Sequence, residues 1–264
     1  MQNVGGISLP KKKNYFKDVR KSMFILCLLV AFIILFYCVA SIFTSVGYDT
    51  FLQAQKAENR IKEVIGNNYQ PLTIIVDPGH GGEDPGAVAN GLLEKDLNLQ
   101  VALKLYDLLS LSGYNVVITR KTDTALYGEG EEYSKKFYDV RNRLKLIESY
   151  DNCVYIGIHM NKFPMEEVHG LQTFYSENNP LSQRFALCVQ NKTKMLMPEN
   201  KREIKPESGM IFILHRTQVP AVLVECGFLS NPTDAANLSN SDFQDKLAFT
   251  IYCGVTEFLA MKEK

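Results

Sequence analysis

Leu72-Thr73-Ile74-Ile75-Val76-Asp77-Pro78-Gly79-His80-Gly81-Gly82 is the stretch on which the reading of the chain turns. A mostly apolar run cut short by Asp-Pro-Gly describes a strand buried on both faces that ends in a tight turn. Beyond it, Glu94 to Ser112 has helical character, dominated by Leu97, Leu99, Val101, Leu103, Leu105, Leu108 and Leu109, with Gly113 suited to close it. Strand-like runs follow at Tyr114 to Thr119, Cys153 to Ile158, Leu171 to Tyr175, Met210 to Leu214 and Ala221 to Val224. Helical stretches intervene at Asp139 to Tyr150, Leu181 to Met195 and Asp242 to Met261. Such alternation predicts an α/β domain over 71–264, an open, mostly parallel twisted sheet with helices on both faces.

Toward the N-terminus the character of the sequence changes. The chain of 264 residues has a formal net charge of zero, but residues 1–22 hold six Lys or Arg against the single acid Asp18. The other residues carry 23 basic and 28 acidic side chains. Between these regions, Met23 to Phe43 is a stretch of 21 residues without a charge. A helix of that length spans about 31 Å, against about 30 Å for a bilayer's hydrocarbon core. Basic residues remain on the cytoplasmic side, so the expectation is a cytoplasmic leader at 1–22, one transmembrane signal-anchor at 23–43 and a stalk at 44–70. The 71–264 domain would then lie outside a bacterial cell membrane. A cleaved signal peptide is the competing reading, favoured by Val39-Ala40-Ser41, although the apolar run is longer than an ordinary signal h-region.

Composition removes other classes. At 46% hydrophobic and 22% charged, the chain is neither disordered nor a polytopic membrane protein. A pI near 6.9 gives no reason to expect nucleic acid as a partner. Cys153, Cys188, Cys226 and Cys253 lie far apart without a CxxC, so buried free thiols are expected.

In open α/β sheets, sites form beyond the carboxyl ends of the strands. That rule selects His80 after the first strand, His159-Met160-Asn161 after the third, and Glu225-Cys226-Gly227 after Ala221–Val224. Glu94 opens the first helix, 14 residues past His80. Two imidazoles and a carboxylate are three of the four ligands of a catalytic zinc, with water at the open position. Glu225, ending an apolar strand, is placed to take a proton from that water. Plainer readings compete: a structural histidine, a Glu94 compensating a helix dipole, or a Glu225 paired with Arg216 or Arg120. Residue types and spacing alone leave these open, because the pattern is not a local HExxH. Cys226 has no nearby histidine and hydrophobic neighbours, which argues against a nucleophile.

Four segments in order resemble the zinc-dependent N-acetylmuramoyl-L-alanine amidases of the amidase 3 type: Ile75 to Gly82, Leu93 to Asp96, Ile158 to Asn161 and Val222 to Pro232. Val140-Arg141-Asn142-Arg143 and Gly170 to Tyr175 add to the likeness. The resemblance implies that His80, Glu94 and His159 hold Zn2+ and that Glu225 is the catalytic glutamate. It also implies hydrolysis of the amide between the lactyl group of N-acetylmuramic acid and L-alanine of the peptidoglycan stem. Met160 departs from the small residue usual before the Asn, which concerns pocket shape. Asn161, Gly81, Gly82 and His215 are candidate substrate contacts. The few residues from Lys162 to Gly170 leave little room for the inhibitory helix that some relatives insert there. An anchor followed by a catalytic domain is similar to the spore-cortex members of the family, for which an activating lipoprotein partner stays open. The rival readings are a non-catalytic wall-binding protein and a metallopeptidase acting within the stem.

Overall fold

The computed structural model describes residues 71–128 and 134–262 and, upstream, only scattered positions between 23 and 57, all of them helical. Contacts divide the chain into two units, Met1–Tyr69 and Gln70–Lys264. Among the described residues no helix is long and apolar enough to cross a membrane. Most of the 23–43 span expected to do so, and most of the 44–70 stalk, lies outside the described residues.

The second unit is built on a six-stranded sheet. In chain order its strands are β1 (Thr73–Pro78), β4 (Asn115–Ile118), β5 (Cys153–Asn161), β6 (Gln172–Tyr175), β7 (Lys205–Pro206) and β8 (Ala221–Phe228). A separate hairpin pairs β2 (Val88–Ala89) with β3 (Leu92–Leu93). The helices are α1 (Glu94–Leu111), α2 (Lys135–Glu148), α3 (Leu181–Leu196), α4 (Phe212–Arg216), α5 (Pro232–Leu238) and α6 (Ser241–Lys262). Sheet order is β4-β1-β5-β8-β6-β7, with β4, β1, β5 and β8 parallel and β6 antiparallel to β8. The mostly parallel α/β sheet expected from the sequence is therefore present.

Side-chain alternation along the strands explains the two layers of helices. Ile74, Val76, Val154, Ile156 and Ile158 face α1, α3 and α6, where Phe185 stacks on Phe258 with ring centroids 4.5 Å apart. Ile75, Tyr155 and Leu223 face the other way, against Ile147 of α2 and Ile213 and Leu214 of α4. Each fully buried side chain of this kind contributes about 1.5–3 kcal/mol. Among the described residues, Cys188 and Cys226 are buried free thiols, Cys253 is free and half-buried, and Cys153 is buried with its thiol donating to Tyr150 O at 3.6 Å.

One element differs from expectation. Residues 210–214, read as a strand, contribute to helix α4 instead. Short apolar runs do not distinguish the two states by period. Here the Glu207 side chain decides, by accepting the Ile211 N–H at 2.7 Å as the chain enters the helix. Ile213 and Leu214 then turn inward while Met210 stays exposed. The hairpin and α5 were not anticipated, though each carries a local signal. Asn90-Gly91 supplies the two positive φ angles of a tight hairpin turn. Asn231 caps α5 by accepting the Asp234 N–H at 2.9 Å, with Pro232 in its first turn.

Candidate active site

Parallel pairing puts the ends of three strands side by side. Pro78 is level with Ile158, and His159 is level with Glu225. The β5–β8 register shifts between His159 and Asn161, the kind of irregularity that re-aims side chains at a sheet's rim. His80 lies two residues past β1, and the hairpin brings Glu94, the first residue of α1, back over it. Thus four side chains remote in sequence converge at the carboxyl edge of the sheet.

His80 Nε2 is 3.2 Å from Glu94 Oε1, and His159 Nδ1 is 2.9 Å from the same oxygen. The two imidazoles cross edge-on, centroids 5.1 Å apart. Ligating atoms of His80, Glu94 and His159 all lie within 4.8 Å of one another, so the three could hold a metal ion. Backbone geometry keeps this space. A Cβ on Gly79 would stand 2.1 Å from the His159 ring, so only glycine allows that ring to lie over the β1 turn.

Supporting contacts fix each member. Asp84 Oδ2 meets His80 Nδ1 at 2.8 Å, leaving Nε2 for the cluster, as carboxylates behind metal-binding histidines do by fixing the ring's tautomer and orientation. The Ala87 N–H donates to Glu94 Oε2 at 2.7 Å, and the Met160 N–H donates to Oε1 at 3.1 Å. Burial would raise the Glu94 pKa, but hydrogen bonds and charge from His159 and His80 outweigh it and hold the carboxylate ionised. Burial likewise would lower His80, yet Glu94 and then Asp84 raise it.

Glu225 is treated differently. Its Oε2 is shielded from solvent and has no hydrogen-bond partner. Burial pushes its pKa up to about 7, with His159 pulling down, Glu94 pushing up and His80 pulling down. Neither ion pair considered for it is formed: Arg120 donates to carbonyls of Pro78, Gly79, Thr122 and Lys95 instead. The Cys226 thiol is buried and pushed well above its usual range, mainly by desolvation.

Two clefts share His80, His159 and Glu225. One, of about 300 Å³, has Ile211, Phe212 and Leu223 in its wall. The other, about 730 Å³ and more open, is edged by Asn161, Phe163 and Pro164. Of the remaining substrate candidates, Asn161 lines the open cleft. The Gly81 N–H donates to Asp84 O within the turn, and the Gly82 N–H donates to Asp123 Oδ1 on the segment after β4. His215 lies on α4, largely exposed, its Nδ1 3.3 Å from Glu207 Oε2, and lines neither cleft. Met160 is buried among core residues. The supporting roles of Asp84 and of Asn98, whose Nδ2 donates to Gly79 O at 3.1 Å and to Glu94 Oε1 at 3.3 Å, were not read from sequence, although Asp84 sits in the same glycine-rich loop as His80.

The amidase 3 family, described as N-acetylmuramoyl-L-alanine amidase, matches residues 74–257. The chain belongs to this family. A germination-specific N-acetylmuramoyl-L-alanine amidase of Bacillus subtilis is 39% identical over 191 residues, covering 72% of this chain and 80% of that protein. Among solved structures, the CwlD amidase from Clostridioides difficile, in complex with the GerS lipoprotein, aligns with TM-score 0.68 at 37% identity, over 72% of this chain and 98% of that one. The catalytic domain of CwlV from Bacillus (Paenibacillus) polymyxa aligns with TM-score 0.62 at 31% identity, over 71% and 98%. The family's chemistry, hydrolysis of a peptidoglycan amide, is therefore the chemistry of this rim.

Proposed function

We propose that His80, Glu94 and His159 hold a zinc ion and that Glu225 is the general base in cleaving the amide between the lactyl group of N-acetylmuramic acid and L-alanine. The donor set fits that metal, two imidazole nitrogens and one carboxylate oxygen with space beside them. When bound, zinc supplies Lewis acidity, polarising the amide carbonyl and lowering the pKa of water toward about 7. The chain's own residues do the rest. Asp84 pins His80 so that Nε2 faces inward. Glu225 Oε2, unpartnered and beside the cluster, accepts the proton that the attacking water gives up and passes it to the departing amine. The two clefts that share Glu225 take the two halves of the substrate, with Asn161 contacting the half in the open one.

The observation that carries this reading is the orphaned, buried Glu225 oxygen next to three converging ligand atoms. A wall-binding protein has no use for that arrangement. We further propose that the chain is anchored by residues 23–43 with its catalytic domain outside the cell membrane, supported by the charge asymmetry around that run. The germination-specific relative supports a role in the spore cortex, and the C. difficile complex supports an extracytoplasmic lipoprotein as partner.

Digestion of purified peptidoglycan, followed by mass spectrometry, tests the reaction. The expected products are free stem peptides beginning at L-alanine, lost on chelation. Shortened stems would instead identify a peptidase, and an unchanged wall would identify a binder.

A further inference from the structure

Two arginines behind the cluster, Arg120 and Arg143, are 4% and 2% exposed. Between them they take three consecutive carbonyls of the loop that carries His80. Arg120 Nε and Arg143 Nη1 donate to Pro78 O at 3.0 and 2.9 Å. Arg120 Nη2 donates to Gly79 O at 2.9 Å, and Arg143 Nη2 donates to His80 O at 2.7 Å. Arg120 Nη2 also reaches Lys95 O at 2.8 Å, on the residue following Glu94. A single guanidinium thus joins the turn bearing one metal-ligand candidate to the helix start bearing another.

This clamp acts where the backbone needs it. His80 has φ of 60°, a left-handed conformation disfavoured for a side chain with a Cβ and kept only where surroundings over-determine it. Arg120 has no carboxylate among its direct hydrogen-bond partners, and desolvation followed by repulsion from Arg143 lowers its pKa. Burying a guanidinium whose direct partners are carbonyls, with Asp77, Asp123 and Asp139 favouring its charge only from a distance, is expensive and points to a purpose beyond packing. Arg143 is in turn held by the buried carboxylates of Asp77 and Asp139.

We propose that Arg120 and Arg143 are positioning residues that hold His80 and Glu94 in metal-binding geometry before the metal arrives, so that their forks set metal affinity. The inference rests on the zinc reading above. Lysine keeps the charge and loses the fork, so Arg120→Lys and Arg143→Lys separate geometry from electrostatics. The experiment uses the full-length chain, with zinc dissociation constants from chelator competition, melting of the metal-free protein, and kcat at saturating zinc. Zinc affinity is expected to weaken about 10–100-fold in each variant, as for other outer-shell partners, with turnover recovering as zinc saturates. Lower melting with unchanged zinc affinity would overturn the proposal, as would full retention by lysine. If one lysine variant fails to fold, the other decides for its own arginine, and Asp139→Asn, which loosens Arg143 without removing it, decides for Arg143: weakened affinity supports the clamp and unchanged affinity refutes it. Wild-type protein that binds no zinc would instead refute the metal reading.

Discussion

The loop after β1 and the strand β8 meet at one edge of the sheet, yet they are built in opposite ways. In the loop, His80 has a carboxylate on one ring nitrogen, a glutamate oxygen at the other and an arginine on its carbonyl. In β8, Glu225 is paired level with His159 at the last position before the register shifts, and one of its oxygens has no partner. The loop is irregular backbone made rigid by polar contacts, while β8 is held between β5 and β6 as far as Glu225 and leaves one oxygen of that side chain unsatisfied. A ligand has to be immobile to define a coordination geometry. A base has to be free to accept a proton, and burial without a partner raises its affinity for one.

The largest effect should come from removing the metal or a ligand. Chelation, or Glu94→Gln, is expected to abolish amide hydrolysis, with zinc restoring the chelated wild type and not the variant at equal concentration. Glu225→Gln should lower kcat by about 10²–10⁴-fold while zinc content stays at the wild-type level. Loss of zinc from a folded Glu225→Gln chain would erase the distinction between the two regions.

Next in size is the support beneath the loop. Burial alone would raise the Asp77 pKa, but Arg143, Thr119 and Tyr155 outweigh it and hold the group below its ordinary value. A carboxylate depressed in the folded state contributes stability at neutral pH that is lost as acid protonates it, so denaturation below about pH 4 should include this site. Asp77→Asn removes one of the two carboxylates that hold Arg143, leaving Asp139, and should cost about 1–3 kcal/mol in urea unfolding at pH 7, with a flatter acid limb. Asp84→Asn should weaken zinc binding about 10–100-fold by calorimetry, with less effect on kcat at saturating metal. The smallest effect is expected at His215: alanine there should leave KM unchanged and shift stability by no more than about 0.5 kcal/mol, since its ring is largely exposed and off both clefts.

The contrast also explains what sequence could reveal. β1, β5 and β8 read clearly because strands buried on both faces are continuous apolar runs. His80, His159 and Glu225 followed because they sit where those runs end, at the edge where parallel sheets place sites. Glu94 was visible as the first residue of a helix. Arg120 and Arg143 were not readable as a clamp, since their bonds to Pro78 join residues 42 and 65 apart and depend on the crossing of β1, β4 and α2. The antiparallel direction of β6 has no local signature, and α4 was obscured because five apolar-rich residues fit either period. The partners of the Gly81 and Gly82 amides, Asp84 O within the turn and Asp123 Oδ1 after β4, had no local signature in the sequence.

X-ray absorption at the zinc edge, on wild type and on Glu225→Gln, reaches the central claim most directly. Both spectra should show two imidazole nitrogens and a carboxylate oxygen from the protein, identical between the two chains. Sulfur scattering, a single imidazole, or a first shell that changes when Glu225 is replaced would contradict a centre made by His80, Glu94 and His159 with Glu225 standing outside it.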